Sequence, residues 1–439
     1  MRKYLIILAS IFISTYITAQ NPGETIKPLT PAEKKEVIDS FSSLLKNNYI
    51  FPEVAEKMNQ LIAGKLSKGD YNNITDPVQF AQQLTTDLQS VSKDKHLRAG
   101  YNPQVVKELR SQSGNNNDEV PVRFLEQMRA SNYGFSEVKL LPGNIGYLDL
   151  RGFVDAKYGS ETAVAAMNFL SNADALIIDL RQNGGGSPSM IQLITSYLYG
   201  PEPVHLNNFY FRPTNENTQT WTLPYVPGKR RPDVPVYILT SNRTFSAAEE
   251  FTYNLKNLKR ATIVGETTGG GAHPGGTLAA TDRFTLWVPK GRAINPITNT
   301  NWEGAGVEPD IKIVASNALE TAQIKALEKL ASSKSSQENR YNWLLARLKA
   351  KQNPVTVDET TLKSYTGNYG PRTISFDGGQ LYYQRTGNPK YKLRAISNTL
   401  FEAEGLDYFR INFIVENNKA TALEGLYDDG NRDKNMKEK

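Results

Sequence analysis

Residues 234–266, VPVYILTSNRTFSAAEEFTYNLKNLKRATIVGE, contain the pattern that decides the fold. Two short apolar runs, at 234–240 and 261–266, flank a stretch at 246–258 in which apolar residues recur at helical spacing. A strand, a helix and a second strand in this order form the unit from which mainly parallel sheets are built. This stretch therefore predicts one such unit in the middle of the chain.

The same alternation begins upstream. The sequence predicts a strand at 144–153, a helix at 161–171, a buried strand at 175–180 and a helix at 188–199. Repeated strand-helix units favour a single sheet with helices packed on it. We therefore predict an α/β domain over residues 120–317.

Helical patterns precede this domain. Thr30, with Glu33 three residues later, has the spacing of a capping box, and apolar residues follow at helical spacing. A polar run at 111–119, with three successive asparagines, has the composition of a loop and predicts a boundary. The patterns predict a helical N-terminal domain over 27–110, with helices at 30–45, 53–66 and 77–91.

The last third of the chain changes pattern again. Residues 318–353 are predicted to be a helical connector, which Pro354 ends. Short alternating segments then follow, separated by turns such as Asp377-Gly378-Gly379. We predict a small antiparallel β domain over 355–439, with strands at 373–376, 380–385, 391–396, 408–415 and 420–427.

Charge and composition exclude several classes of protein. With 39% apolar and 22% charged residues, the chain has the composition of a globular protein, and a net charge of +6 over 439 residues is too small to predict nucleic-acid binding. Residues 1–19 have the basic start and apolar run of a signal peptide, and the run is too short to span a bilayer. We therefore expect an exported bacterial protein, periplasmic or extracellular and not inserted in the membrane after cleavage. Since the sequence contains no cysteine, we expect no disulfides.

A glycine-rich turn follows the buried strand at 175–180. Its three glycines, Gly184, Gly185 and Gly186, precede a helix, so backbone N–H groups there can converge on an anion. The third glycine and the acidic residue of a dinucleotide site do not follow at the required spacing. An oxyanion hole is therefore the better interpretation.

Ser246 lies where a predicted strand ends and a helix begins. With Glu249 it has the spacing of a capping box, and taken alone that interpretation is the stronger one. The glycine-rich turn favours a nucleophile instead, provided that a histidine can activate the hydroxyl. His96 is the candidate base, with a solvated surface position as its alternative, and His273 is the rival base.

Two further observations complete the candidate chemistry. Glu303, beside Trp302 and two glycines, is either a buried orienting carboxylate or a solvated turn residue. The chain has three histidines without metal-ligand spacing, and His205 follows a proline in a loop. The sequence therefore predicts neither a metal site nor a cofactor.

Four motifs follow one another along the chain: DLRxNGGG (179–186), TSxxTxSAAE (240–249), GETTGGG (265–271) and EGxGVxPD (303–310). In this order they resemble the tail-specific protease family of serine peptidases, in the branch that contains interphotoreceptor retinoid-binding protein repeats and the tricorn core. The resemblance covers about residues 30–317 and implies a crotonase-like α/β core. It also implies that Ser246 is the nucleophile, His96 the base and Glu303 the distal carboxylate, with the N–H groups of Gly185 and Ala247 as the oxyanion hole.

The chain departs from better-known relatives in three ways. Where processing proteases have a catalytic lysine, this chain has glycine near Gly270, so His96 must serve as the base. The interval between His96 and the strand at 144–153 is too short for a PDZ domain. In tricorn-like members a serine beside the histidine relays to the glutamate; here that neighbour is Lys95, so Asp94 is a possible orienting residue.

We therefore predict an exported serine peptidase with a Ser-His-Glu arrangement, acting on peptide or protein substrates. Its activity should depend on one group that titrates near the ordinary histidine value of ~6.5, shifted by about a unit. The alternative is a non-catalytic protein that binds apolar ligands or peptides on the same fold. The sequence leaves the oligomeric state open.

Overall fold

The computed structural model describes residues 27–114, 121–333, 337–417 and 419–438. The predicted signal peptide at 1–19 lies outside the described residues. Within those residues, no helix has both the length and the apolar character needed to cross a bilayer. The chain divides into two compact units, one running to Leu140 and then from Gly146 to Leu319, the other formed by Leu141–Ile145 and Glu320–Lys439.

The first unit contains the N-terminal helices and the α/β elements. In chain order these are α1 (Pro31–Asn48), α2 (Pro52–Lys68), α3 (Pro77–Ser92), β1 (Arg98–Tyr101), α4 (Pro103–Gly114), α5 (Val122–Ala130), β2 (Phe135–Leu141), β3 (Ile145–Leu150), α6 (Ala156–Phe169), β4 (Ala175–Asp179), α7 (Pro188–Ser196), β5 (His205–Phe211), β6 (Glu216–Trp221), β7 (Val236–Thr240), α8 (Ala247–Asn257), β8 (Thr262–Gly265), β9 (Gly275–Ala279), β10 (Phe284–Pro289), β11 (Gly291–Ile294) and β12 (Ile311–Lys312).

A six-stranded sheet with the order β12-β8-β7-β4-β3-β2 forms the centre of this unit. The pairs β12-β8, β8-β7 and β7-β4 are parallel. Strands β3, β4 and β7 are buried at every position, because helices cover the sheet. The predicted α/β architecture is confirmed, and its predicted strands and helices are present with shifted ends. Since β4, β7 and β8 are parallel neighbours, the loops at their carboxyl ends meet at one edge.

The N-terminal helices share a core with a second sheet. This sheet has the order β1-β10-β9 and is antiparallel. Phe284, Leu286 and Val288 of β10 lie in one apolar cluster with residues of α1, α2 and α3. The predicted capping box is present, since Thr30 Oγ1 accepts a hydrogen bond from the Glu33 N–H and the Glu33 carboxylate accepts one from the Thr30 N–H. The predicted loop at 111–119 is helical as far as the end of α4, and residues 115–120 lie outside the described residues.

A third antiparallel sheet, with the order β11-β5-β6, completes the first unit. Phe209 of β5 and Ala293 of β11 form a small apolar cluster with Trp302 and Val307. These contacts fix the segment that carries Glu303 against the rest of the unit. The segment is therefore held by a core of its own rather than left as a free loop.

The second unit contains three helices and one eight-stranded sheet. These elements are α9 (Ala318–Ala331), α10 (Glu338–Gln352), α11 (Glu359–Ser364), β13 (Gly367–Tyr369), β14 (Arg372–Asp377), β15 (Gln380–Arg385), β16 (Lys390–Ala395), β17 (Leu400–Ala403), β18 (Phe409–Glu416), β19 (Lys419–Tyr427) and β20 (Arg432–Met436). The predicted helical connector is two helices, α9 and α10.

The eight strands follow one another in chain order and all pair antiparallel. The Glu438 N–H donates to the Asn368 carbonyl at 2.9 Å, which brings the chain after β20 against β13 and nearly closes a barrel. The predicted antiparallel β sheet at the C-terminus is confirmed. Trp343 of α10 packs on its outer face, with the Arg410 guanidinium 3.7 Å from the indole ring.

Candidate active site

Ser246 occupies a strained turn between β7 and α8. Its backbone has φ +56° and ψ −122°, a conformation that non-glycine residues rarely adopt and that marks functional turns. The turn is held from two sides, because the Thr244 hydroxyl donates to the Leu180 carbonyl at 2.8 Å and the Phe245 N–H donates to the Asn183 carbonyl at 3.1 Å. A strained strand-to-helix turn also presents the serine of α/β-hydrolases, although the G-x-S-x-G sequence is absent here.

Glu249 fixes this turn from inside the protein. The side chain is fully buried, and its carboxylate accepts four hydrogen bonds, from the Ser246 N–H, the Thr268 hydroxyl and the N–H groups of Gly270 and Gly271, at 2.5–2.8 Å. Burial raises the pKa of this carboxyl to about 7, although the hydrogen bonds oppose the shift. Glu249 therefore ties the turn of Ser246 to the glycine-rich loop after β8.

The predicted oxyanion donors lie beside Ser246. A Cβ built on Gly185, which has φ +113°, would stand 2.8 Å from Ser246 Cβ and 3.1 Å from the Ala247 nitrogen. Ala247 is the first residue of α8, where an N–H has no acceptor inside the helix. The Gly185 N–H donates to Asn183 Oδ1 at 2.9 Å, so an oxyanion bound there would share this donor.

Gly186 shows how tightly this loop is packed. A Cβ there would lie 2.0 Å from the Phe153 carbonyl oxygen, and φ is +145°. We expect Gly186→Ala to lower the free energy of unfolding by on the order of 3 kcal/mol, because it adds backbone strain to a clash that only backbone movement relieves. Urea unfolding followed by circular dichroism measures the change. Gly184→Ala is the matched control: its Cβ would meet nothing within 4 Å, so a similar loss there would contradict this explanation.

His96 is held between two aromatic rings. Its ring stacks on Trp287, with centroids 4.9 Å apart and planes at 19°, and lies 4.5 Å from the Phe245 ring. The antiparallel pairing of Arg98 in β1 with Trp287 in β10 places the histidine there. Because Phe245 directly precedes Ser246, the base predicted from the sequence lies at the turn of the predicted nucleophile.

The environment of His96 favours a neutral imidazole. The side chain is only 9% exposed, and burial lowers its pKa to about 4 even though Asp94 opposes the shift. Its Nδ1 lies 3.8 Å from Asp94 Oδ1, which also accepts the His96 backbone N–H at 3.0 Å. At neutral pH the ring is therefore available as a proton acceptor.

Asp94, His273 and the partly buried Glu303 form a group next to His96. His273 Nδ1 is 2.7 Å from Asp94 Oδ2 and 3.5 Å from Glu303 Oε2. Burial opposes protonation of His273, but the Asp94 hydrogen bond and the charges of both carboxylates outweigh it and raise the pKa. Burial, with the Asp94 charge second, raises the pKa of Glu303 to about 7. The Ala272 N–H donates to Glu303 Oε2.

The structure thus places the predicted residues in two adjacent groups. Ser246, Ala247 and Gly185 are in contact, and ligand-type atoms of Asp94, His96 and Glu303 lie within 4.8 Å of one another. His273 joins the second group with its Nδ1 turned to Asp94. His205, by contrast, stacks on Trp221, with centroids 4.3 Å apart.

Several contacts of the candidate site are not predicted by the sequence. The spacing indicates only that Glu249 caps a helix, yet three of the four groups that donate to its carboxylate belong to the glycine-rich loop at 268–271. No pattern near Trp287 in the sequence predicts its contact with His96, because the pairing of β1 with β10 brings the two residues together. Lys95 donates to the Gly269 carbonyl at 2.6 Å and so ties the segment of His96 to the glycine-rich loop.

Solved structures resemble this chain at low identity. A lipoprotein from Streptococcus agalactiae is 16% identical, with 70% of this chain and 100% of that chain covered at a TM-score of 0.45. The photosystem II D1 C-terminal processing protease is 15% identical, covering 65% of this chain and 94% of that chain at 0.41. Mature CPAF in complex with lactacystin is 14% identical, covering 70% and 99% at 0.45.

Two family models match the first unit. The N-terminal domain of peptidase S41 in eukaryotic IRBP matches residues 30–133, and peptidase family S41 matches residues 144–313. The second match contains Ser246, the glycine-rich turn and Glu303, and the first contains His96. Together they span more than half of the 439 residues. The chain is a hydrolase that belongs to peptidase family S41.

Proposed function

We propose that this peptidase cleaves peptide bonds with Ser246 as nucleophile and His96 as general base. One observation carries the proposal: a serine held at φ +56° packs beside two backbone N–H groups, and the residue before it contacts a buried imidazole whose pKa lies near 4. A helix cap needs neither the strain nor the histidine. An activated serine needs both a base and a fixed position.

The steps follow from this arrangement. His96 accepts the hydroxyl proton of Ser246 while the oxygen bonds to the substrate carbonyl carbon. The oxyanion that forms is stabilised by the Ala247 N–H and by the shared Gly185 N–H. The C–N bond then breaks as the proton on His96 passes to the leaving amine. In the second half of the reaction His96 accepts a proton from a water molecule that attacks the acyl-enzyme, and it returns this proton to Ser246 as the acyl group leaves.

The orienting carboxylates act from the side of His96 Nδ1. We assign the closer position to Asp94, whose Oδ1 lies 3.8 Å away, and a supporting position to Glu303. His273 holds the outer oxygen of Asp94 at 2.7 Å, so that Oδ1 faces His96. A carboxylate at this place fixes the tautomer and stabilises the imidazolium that forms during attack.

The wider setting completes the proposal. The basic and apolar start of the sequence supports export to the periplasm or the exterior. The four family motifs support a crotonase-like core. Peptides or proteins are the substrates that a peptidase implies.

The test is labelling with a fluorophosphonate probe, which reacts with activated serines, followed by peptide mapping. The label should lie on Ser246. Absence of the label under conditions that label a control serine hydrolase would contradict the proposal.

Glu249 offers a second test of the same site. We expect Glu249→Gln to slow labelling about 10- to 100-fold, because an amide nitrogen would face N–H donors that now bond to a carboxylate oxygen. The labelling rate is measured with the fluorophosphonate probe. The matched control is Glu250→Gln on the next residue of α8, a buried carboxyl that lies near the side chains of Asn207 and Asn254. Equal slowing in both variants would contradict a specific role of Glu249.

A further inference from the structure

Three side chains beside the nucleophile turn offer metal ligands to one small space. One atom each from Asp94, His96 and Glu303 lie within 4.8 Å of one another. The sequence spacing does not predict this set, because Asp94 and His96 lie in the segment after α3 and Glu303 lies in the segment before β12. Imidazole nitrogen and carboxylate oxygen are the donors that zinc takes in three-ligand protein sites.

Two buried polar atoms of this group lack partners. His96 Nδ1 and Glu303 Oε1 are buried without a hydrogen-bond partner among the described residues. The His96 side chain is only 9% exposed. Buried polar atoms are nearly always satisfied, so these two atoms indicate an occupant between them.

The remaining contacts already orient the ligands. His273 Nδ1 holds Asp94 Oδ2 at 2.7 Å, which leaves Oδ1 turned towards His96. The Ala272 N–H holds Glu303 Oε2, which leaves Oε1 free. Outer-sphere hydrogen bonds of this kind are typical of zinc sites.

One ligand distance is already close to that of a zinc site, and the whole set has to contract on binding. His96 Nδ1 and Asp94 Oδ1 are 3.8 Å apart and all three ligand atoms lie within 4.8 Å of one another, whereas tetrahedral bonds of about 2.0–2.2 Å put neighbouring ligand atoms about 3.4 Å apart. We propose that Asp94, His96 and Glu303 form an inhibitory binding site for Zn²⁺, with the fourth position open to water. Binding itself does not rest on the proposed function; the inhibition does.

Inhibition follows from the role of His96. A zinc ion on the imidazole takes up a lone pair and separates the ring from Asp94, so the base can neither be oriented nor stabilised as an imidazolium. Removal of zinc by a chelator restores both. The site would thus keep the peptidase inactive wherever free zinc is plentiful.

Calorimetric titration of the untagged full-length protein with ZnCl₂ tests the binding. We expect one zinc per chain, no binding of Mg²⁺, which prefers oxygen ligands in octahedral geometry, and at least ~10-fold weaker zinc binding in Asp94→Asn and Glu303→Gln. His205→Gln, outside the cluster, should bind as the wild type does. Circular dichroism checks that each variant is folded. Absence of stoichiometric binding, or equal affinity in the ligand variants, would overturn the site.

A second arm separates this inference from the proposed function. Zinc should slow fluorophosphonate labelling of the wild type, and EDTA should restore it. Ser246→Ala should bind zinc with unchanged affinity although it cannot be labelled. Zinc binding by a protein that never labels would uphold the site and remove the proposed catalysis, whereas normal labelling at saturating zinc would overturn the inhibition.

Discussion

Ser246→Ala is expected to abolish fluorophosphonate labelling and to lower peptide hydrolysis by roughly 10⁴- to 10⁶-fold, the loss typical of removing a catalytic serine. The reason is local, because the hydroxyl is the attacking group and its removal leaves only the oxyanion donors. Alanine meets the same strain at φ +56° as serine does, so the fold should persist. Hydrolysis of a peptide library, followed by mass spectrometry, measures the loss.

The control separates catalysis from helix capping. Thr30, at the start of α1, has a capping box with Glu33, the spacing that Ser246 has with Glu249. Thr30→Ala should lose about 1 kcal/mol of stability and keep full labelling. If Ser246→Ala behaved in the same way, with lower stability but normal hydrolysis, the serine would be a cap and the proposed nucleophile would be wrong.

The turn of Ser246 and the glycine-rich turn could be predicted from the sequence because both depend on the local order of strand, turn and helix. A buried strand, a turn rich in small residues and a helix follow one another at 175–199 and again at 234–258. Parallel strands of one sheet place such turns at the same edge. Gly185 and Ser246 therefore had to be neighbours once the two strands were paired.

The surroundings of His96 could not be predicted in this way. Its contacts with Trp287 and Phe245 depend on the pairing of β1 with β10, two strands far apart in the chain. The sequence indicated a pKa near the ordinary histidine value, shifted by about a unit, but burial lowers it to about 4. This burial depends on tertiary packing, whereas the charged residues around His96 in the sequence are typical of an exposed position.

The different surroundings of Glu249 and Glu250 could not be predicted from the sequence either. Glu249 and Glu250 are adjacent in the chain and both buried, and burial raises the pKa of each to about 7. Only the structure shows that Glu249 bonds to the turn of Ser246 and to the glycine-rich loop, whereas Glu250 lies near the side chains of Asn207 and Asn254. Local spacing cannot distinguish them, because their partners come from other elements.

His96→Gln should lower hydrolysis by on the order of 10⁴-fold and remove a pH dependence of stability. The folded-state pKa of about 4 lies below the unfolded value of 6.5. Between these values the unfolded chain binds a proton that the folded chain does not, so the contribution of His96 to the free energy of unfolding falls as the pH falls from 6.5 towards 4. The full effect is about 3 kcal/mol, at 1.36 kcal/mol for each unit of pKa.

The difference between wild type and variant isolates this contribution. The pKa values of His273 and Glu303 are raised in the folded protein, so the contributions of these two groups to stability fall as the pH rises. Because both groups are present in the wild type and in the variant, their contributions cancel in the difference. Urea unfolding at pH 4.5, 5.5, 6.5 and 7.5 should therefore show a difference that grows with pH and levels off above about 6.5, while His205→Gln shows none. For the same reason wild-type labelling should stay high down to about pH 5, because His96 remains neutral there. A labelling rate that halves near pH 6.5, or a His96→Gln variant that labels normally, would contradict the assignment and transfer the role of base to His273.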